Sequence, residues 1–368
     1  MCLTLKPEVL TSRQKYTQKF RKGKLMNMNP EERLKALITW GKAIGALTEE
    51  LESSADTASP AGLMLIQARN QNPWFTRENV LEALKAIVFQ LQEQNLRQWV
   101  SAYTLPDNAP RTIGVIMAGN LPAVGFQDVL CVLMSGNTLM MKCAADDKVI
   151  LPFMLEILVS IEPRFRDRII QVERLQNMDA VIATGSNNSA RYFDYYFSKY
   201  PHIIRRNRNS VAVITGNETE TELFQLGNAI FRYFGMGCRS VSHLLVPAGY
   251  DFGKLFVVLQ QFGEVINHSR YMNNYDYHNA LYLLNSEKFL TNNFLILRES
   301  PILNTPVSVL HYSYYSNAAE ADAFLDAHKE EIQCVVGAGG IPFSAAQCPA
   351  PWEYADNVDV LDFLLKLK

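Results

Sequence analysis

The sequence predicts a two-lobed α/β protein headed by a helical region, and three observations support this fold. The chain has 368 residues, enough for two or three domains of ordinary size. Up to about residue 105 the apolar residues recur at helical spacing, whereas from Ile113 onward short apolar strands alternate with helices, the pattern of a largely parallel sheet. A second α/β series follows Cys238. Two lobes of this kind favour a ligand cleft beside the carboxyl ends of their strands.

The elements follow in chain order. Asn29, Pro30, Glu31 and Glu32 supply an N-cap, a first-turn proline and early acids, and Leu34, Leu37, Ile38 and Ile44 continue one apolar helical face. A second helix is expected from about 76 to 99, with Val80, Leu81, Leu84, Ile87, Val88 and Leu91 facing inward. After Pro106 and Pro110, strands are expected at 113–117, 138–142, 169–172, 180–183 and 211–215, with helices near 122–134, 147–161 and 187–199. In the second series the strands fall near 244–246, 294–297, 307–311 and 334–336. The expected division is a helical region and first lobe over 1–228, a second lobe over 229–350, and a terminal segment over 351–368.

Composition excludes several classes. Apolar residues make up 48% and charged residues 20%, too apolar for a disordered chain. With 35 basic against 37 acidic residues the net charge is −2, which offers no general field for nucleic acid. The polar and basic run over 12–24 lacks the apolar core and cleavage site of a secretory signal, so a cytoplasmic protein is expected. The most apolar stretch, 113–141, is broken by Gly114, Gly119, Asn120, Pro122, Asp128, Gly136 and Asn137, so no membrane span is expected. Cys2, Cys131, Cys143, Cys238, Cys334 and Cys348 show neither a CxxC pair nor Cys/His ligand spacing, so neither a disulfide framework nor a metal site is expected. Sequons at Asn187, Asn217 and Asn267 read as chance matches in such a compartment.

Chemistry concentrates at loops that follow strands. Cys238 stands after the glycine-broken run Phe231 to Gly237, ahead of the apolar residues Leu244 to Val246, and beside Arg239. A thiol at such a junction can lie near backbone N–H groups and a cation, both of which favour the reactive thiolate; the alternative is a small buried hydrophobe. No GxGxxG follows the first strand, and Gly337 to Gly340 reads as a turn. Instead, successive strands end in Ala118-Gly119-Asn120-Leu121-Pro122, in Lys142-Cys143-Ala144-Ala145, and in Thr184-Gly185-Ser186-Asn187.

This order of loops, followed by the cysteine, resembles the aldehyde dehydrogenase superfamily. Met117 to Pro122, Arg206 to Asn217 and Phe234 to Arg239 look more closely like the LuxC-type acyl-CoA reductases, and the resemblance runs in order over roughly 70–365. It implies an aldehyde-dehydrogenase-like fold with a Rossmann-like cofactor lobe and a catalytic lobe. It implies Cys238 as the nucleophile that carries the acyl group as a thioester, and Asn120 as the amide that helps hold the oxyanion, against its alternative as a turn residue before Pro122. Thr184, Gly185 and Ser186 match the phosphate-side turn of the cofactor site, although a helix N-cap alone also explains Ser186. Lys142 matches the lysine at the adenosine ribose, and Glu299 the glutamate at the nicotinamide ribose, although the Phe-Gly-Pro that usually follows the glutamate is missing.

The implied reaction is reduction of an acyl thioester, a fatty acyl-CoA or related donor, to an aldehyde. NADPH is the expected cofactor, with NADH the alternative, because Ala145 replaces a glutamate common in NAD-preferring members. Where hydrolytic members carry a glutamate base, this chain has Arg205, Arg206, Asn207 and Arg208, a cluster that would contact phosphates or form a solvated turn. The other functions considered are an acyl-phosphate reductase and a non-catalytic acyl-binding subunit of a larger complex. The implied partners are an acyl-transferring protein and further copies of the chain, since the tail from Tyr354 to Leu365 resembles the family's late pairing strand. His243, five residues past Cys238, is not by position a catalytic partner. The aromatic run from Tyr192 to Phe197 is expected to be a helix packed on the sheet.

Overall fold

The computed structural model describes residues 27–54, 56–107 and 111–367; the basic run over 12–24, Cys2 and Pro110 lie outside them. The chain forms two compact units.

The first unit runs to Arg206 and takes in most of the residues beyond Ala350. Its helical part comprises α1 (Pro30–Ser53), α2 (Pro60–Gln71), α3 (Arg77–Gln90) and α4 (Glu93–Val100). At the start of α1, Asn29 and Glu32 close a reciprocal capping box at 2.9 and 2.8 Å. The single helix expected over 76–99 is instead α3 and α4, because the Asn95 amide donates to the Phe89 carbonyl (2.7 Å) and the chain turns at Leu91 and Gln92. Leu91 lies so close to α1 that a Cβ on Gly41 would sit 2.6 Å from its own Cβ. Helix α2 was not expected, although Ser59 caps it and Pro60 opens it.

Beyond these helices come β1 (Thr112–Ile116), α5 (Phe126–Met134), β2 (Thr138–Lys142), α6 (Ile150–Ile161), β3 (Ile169–Gln171), β4 (Ala180–Thr184), α7 (Asn187–Phe197) and β5 (His202–Arg205). The strands form one parallel sheet in the order β3-β2-β1-β4-β5, with the chain reversing its winding between β1 and β4. In open α/β sheets, ligands bind outside the carboxyl ends of strands at such a reversal.

The second unit holds β6 (Asn209–Val213), α8 (Glu220–Phe231), β7 (Val241–Pro247), α9 (Gly253–Leu259), α10 (Ser269–Leu284), β8 (Leu290–Thr291), β9 (Ile296–Glu299), β10 (Val309–Tyr315), α11 (Ala318–Ala327) and β11 (Ile332–Gly337). Its sheet runs β11-β6-β7-β10-β9-β8 and is parallel except at β8. The change of unit therefore falls at Arg206 and Asn207 and not at 228. Strand β6 is hydrogen-bonded between β11 and β7, and α8 packs so tightly that a Cβ on Gly227 would meet the Phe262 ring at 2.2 Å.

The tail is a second correction, because it forms the helix α12 (Val360–Leu365) and not a pairing strand. Asp359 caps it, and Val360, Leu361 and Leu364 enter the core of the first unit. Trp99 Nε1 donates to the Tyr354 hydroxyl (2.6 Å) and the Tyr103 hydroxyl to Asp359 (2.6 Å), anchoring the segment internally. The strand that suggested subunit pairing is thus absent.

Candidate active site

In the first unit, Asn120, Lys142 and the Thr184 to Ser186 turn all lie where strands of one parallel sheet end. The loop between β1 and α5 presents Asn120 exposed, with buried Pro122 and Ala123 behind it. It lies against the loop between β2 and α6. Met117 N donates to the Lys142 carbonyl (3.2 Å), and a Cβ on Gly119 would come within 2.6 Å of the Ala144 Cβ, so a glycine is needed for the two loops to approach. Asn72 donates to the Gly119 carbonyl (3.1 Å), and Asp147 Oδ2 accepts from Ala123 N (2.8 Å). Burial pushes the Asp147 carboxyl up to about 6, opposed by the N–H of Ala123 and by those of Ile150 and Val149, which do not reach Oδ1 in hydrogen-bond geometry. Sequence reasoning missed Asp147; its only signal was an acid just before a helix.

The Thr184 to Ser186 turn stands at the end of β4 and leads into α7. A Cβ on Gly185 would meet Phe193 and Ser189 at 2.9 Å, so a glycine is needed for these α7 side chains to pack against the turn. Ser186 caps α7 by accepting from Ser189 N, and the first N–H groups of a helix have no acceptor within it. Lys142 is half-buried at the end of β2. Helix α7 packs Phe193 and Phe197 on the sheet but leaves Tyr192, Tyr195 and Tyr196 largely exposed.

In the second unit, Cys238 is exposed on the turn that leads into β7. The backbone ahead of it is strained: Tyr233 and Phe234 hold φ of 54° and 56°, and Gly235 follows at 77°. Left-handed non-glycine residues cost about 1–3 kcal/mol each and persist only where their surroundings fix them. The Phe234 ring sits 4.5 Å from that of His268. Ser210 Oγ donates to the Cys238 carbonyl (2.9 Å), Ser240 N to the Gly237 carbonyl (2.9 Å), and Gly237 N to Ser240 Oγ (3.2 Å). Arg239 Nε donates to the Ala346 carbonyl (2.5 Å). The turn is thus clamped while its thiol faces outward.

The buried cysteines contrast with it. Burial drives the Cys131 thiol well above its ordinary range and the Cys143 thiol up to about 12, so neither is suited to form a thiolate. His243 is wholly buried within β7, its ring stacked 5.0 Å from that of Phe324, and a Cys/His pairing with the exposed thiol does not arise. Glu299 ends β9, and the register sets it level with Tyr312 and, through Tyr312, with Leu244, well past the Cys238 end of β7. Among the described residues no group of three or more His, Cys, Asp or Glu side chains is arranged to hold a metal.

Within the arginine segment Arg205 is buried and Arg208 half-buried, whereas Arg206 and Asn207 are exposed between β5 and β6. Arg205 is buried and bidentate on Asp128 (2.6 and 2.8 Å), with Thr184 Oγ1 at 3.5 Å from the same guanidinium. Arg206 pairs with Asp194 (2.8 Å), and Arg208 with Asp356 (3.2 Å) in the second unit.

A family model described as acyl-CoA reductase (LuxC) matches residues 49–249, more than half of the chain. Among solved structures, the chain is similar to an indole-3-acetaldehyde dehydrogenase of P. syringae in complex with NAD+ and IAA, at 10% identity and TM-score 0.60, over 88% of this chain and 75% of that one. It is also similar to the aldehyde dehydrogenase KauB of Pseudomonas aeruginosa, at 11% identity and TM-score 0.59, over 84% of this chain and 72% of that one. An NAD-dependent aldehyde dehydrogenase of Sinorhizobium meliloti gives 14% identity and TM-score 0.58, over 84% and 70%. These likenesses establish an aldehyde-dehydrogenase-like fold. No curated protein sequence matches the chain. No helix among the described residues is long and apolar enough to cross a membrane.

Proposed function

Because the chain belongs to the LuxC family of acyl-CoA reductases, we propose that it reduces an acyl thioester, a fatty acyl-CoA or close relative, to an aldehyde through an acyl group carried on Cys238. The observation that supports this most directly is the exposed thiol on a strained, fully tethered turn, while the thiols of Cys131 and Cys143 are buried. The Cys238 thiolate attacks the thioester carbonyl and coenzyme A leaves as its thiolate. A reduced nicotinamide cofactor, when bound, supplies a hydride. The resulting thiohemiacetal oxyanion collapses, expels the Cys238 thiolate and leaves the aldehyde. Asn120 is assigned to stabilising the oxyanion. A preorganised amide donor of this kind contributes about 2.7–4 kcal/mol to barrier lowering.

Lys142 and the turn from Thr184 to Ser186 are assigned to the cofactor, the lysine to the adenosine ribose and the turn to the pyrophosphate. NADPH is the favoured form, since exposed Ala145 puts no carboxylate against a 2′-phosphate. Glu299 is assigned, on the resemblance alone, to the nicotinamide ribose.

The test is a panel of acyl-CoA and acyl-phosphate donors assayed for aldehyde formation and cofactor consumption, with mass spectrometry of the quenched enzyme. An acyl group on Cys238, loss of activity in Cys238→Ser, and a drop in kcat of roughly 10²–10³-fold in Asn120→Ala are expected. An acyl group on another cysteine with Cys238 unmodified overturns the assignment, and turnover of acyl phosphates alone selects the acyl-phosphate reductase.

A further inference from the structure

We propose that Asp147 is the positioning residue of the Asn120 loop, holding the oxyanion donor in place through the backbone N–H of Ala123. The inference rests on the role assigned to Asn120 above. Asp147 is 7% exposed, and its Oδ2 accepts the Ala123 N–H at 2.8 Å. Ala123 stands three residues after Asn120, and Pro122 between them has no N–H, so the Ala123 amide is the first donor past Leu121 through which the loop can be tied.

Ala123 also holds a φ of 52°, a conformation that an alanine leaves unless something outside the residue fixes it. On the other side of Asn120, the Gly119 carbonyl accepts from Asn72, which is itself buried. Asn120 is therefore exposed between two buried anchors. Only one of them, Asp147, comes from the loop that begins at Lys142, and the Met117 to Lys142 hydrogen bond and the contact of Gly119 with Ala144 join the same two loops. The carboxylate thus fixes the position of the assigned oxyanion donor relative to the assigned ribose lysine. Nothing in this role needs Asp147 to touch substrate. It acts through the Ala123 backbone.

Replacing the acceptor should release the loop, and small displacements of a catalytic group are expensive in rate. Asp147→Ala is expected to lower kcat by about 10–100-fold while leaving KM for the acyl-CoA within about 3-fold. Asp147→Asn keeps an acceptor oxygen and is expected to retain kcat within about 3-fold of the parent. In an Asn120→Ala background, Asp147→Ala should add less than about 3-fold, because no donor is left to position. If Asp147→Ala does not fold, Asp147→Glu, which moves the carboxylate by one methylene, takes its place in the cycle. Additive losses in the double variant, a loss in Asp147→Asn as large as in Asp147→Ala, or full kcat in Asp147→Ala would each overturn the inference. Full kcat in Asn120→Ala alone would instead overturn the underlying assignment of Asn120.

Discussion

Acid should weaken the second unit through one buried imidazole, His243. Its side chain is fully enclosed in β7, level with His311 on β10 and stacked on Phe324 of α11. Burial pulls its pKa down from 6.5 to about 3, and His311 and His328 add to the effect. The Ile302 carbonyl acts in the opposite direction but accepts a hydrogen bond from His311 Nδ1 (2.7 Å), and neither nitrogen of His243 has a hydrogen-bond partner. The native group therefore stays neutral where the unfolded one takes up a proton. The unfolded chain binds more protons over this window, so stability is lost as pH falls through 6.5 towards 3. With those two values, the loss attributable to His243 between pH 7 and pH 5 is about 2 kcal/mol.

The perturbation is His243→Leu, which removes the titration. It also removes two buried nitrogens without partners, each costing about 1–3 kcal/mol, against a ring contact worth about 0.5–1.5 kcal/mol. The variant should thus be at least as stable as the parent at pH 7, and its advantage should grow by about 2 kcal/mol at pH 5. All four tryptophans lie in the first unit, so the reporter is hydrogen exchange of the β7 amides, converted to opening free energies at each pH. A gap between parent and variant that stays constant from pH 7 to pH 5 would refute the reasoning.

Asp128→Asn should cost the first unit about 3–5 kcal/mol by leaving Arg205 buried without its counter-ion. The double change Asp128→Leu with Arg205→Met should cost much less, and tryptophan fluorescence in urea distinguishes the two; equal losses would count against a buried pair. NADPH should be used at least as well as NADH in kcat/KM, because Ala145 offers no charge against the 2′-phosphate; a large NADH preference would point instead to the exposed Asp146 next to it. With aldehyde and oxidised cofactor, oxidation should depend on added coenzyme A, and rapid release of free acid without it would show that a water-activating base acts from elsewhere than 205–208.

Local signals in the sequence survived folding, and signals that needed partners far along the chain did not. The capping box at Asn29 and Glu32 spans one helical turn and is present as read. Strand β2 runs over 138–142 as the apolar run implied. The loops carrying Asn120, Lys142 and Thr184 follow from strand ends that sequence patterning reveals directly. The break between α3 and α4 carries the Asn95 to Phe89 hydrogen bond and sets Leu91 against Gly41, a contact across the helical layer that no periodicity reports. The tail resembles the family's late pairing strand, yet Val360, Leu361 and Leu364 share a helical face once a core is there to receive them. The place where the units divide depends on strand order, since β6 joins the second sheet by pairing with β7 and with β11, the latter more than a hundred residues later.

The arginine segment shows how a departure from the family pattern acquires a physical meaning only from the fold. From sequence, the missing glutamate left open whether Arg205 to Arg208 serve a ligand. The structure commits each of the three arginines to a carboxylate, at Asp128, Asp194 and Asp356. Arg205 is enclosed with Asp128 where burial makes an unpaired charge costly, and it reaches Thr184 at the head of the turn assigned to the cofactor. A carboxylate base in place of Arg205 would face Asp128 as a like charge, so recovering the hydrolytic chemistry would require rebuilding the support of that turn as well as changing one side chain. Arg205 thus joins Asp128 to the turn proposed for the cofactor, and on the proposed reading an acyl group on Cys238 would leave by reduction or by return to a thiol.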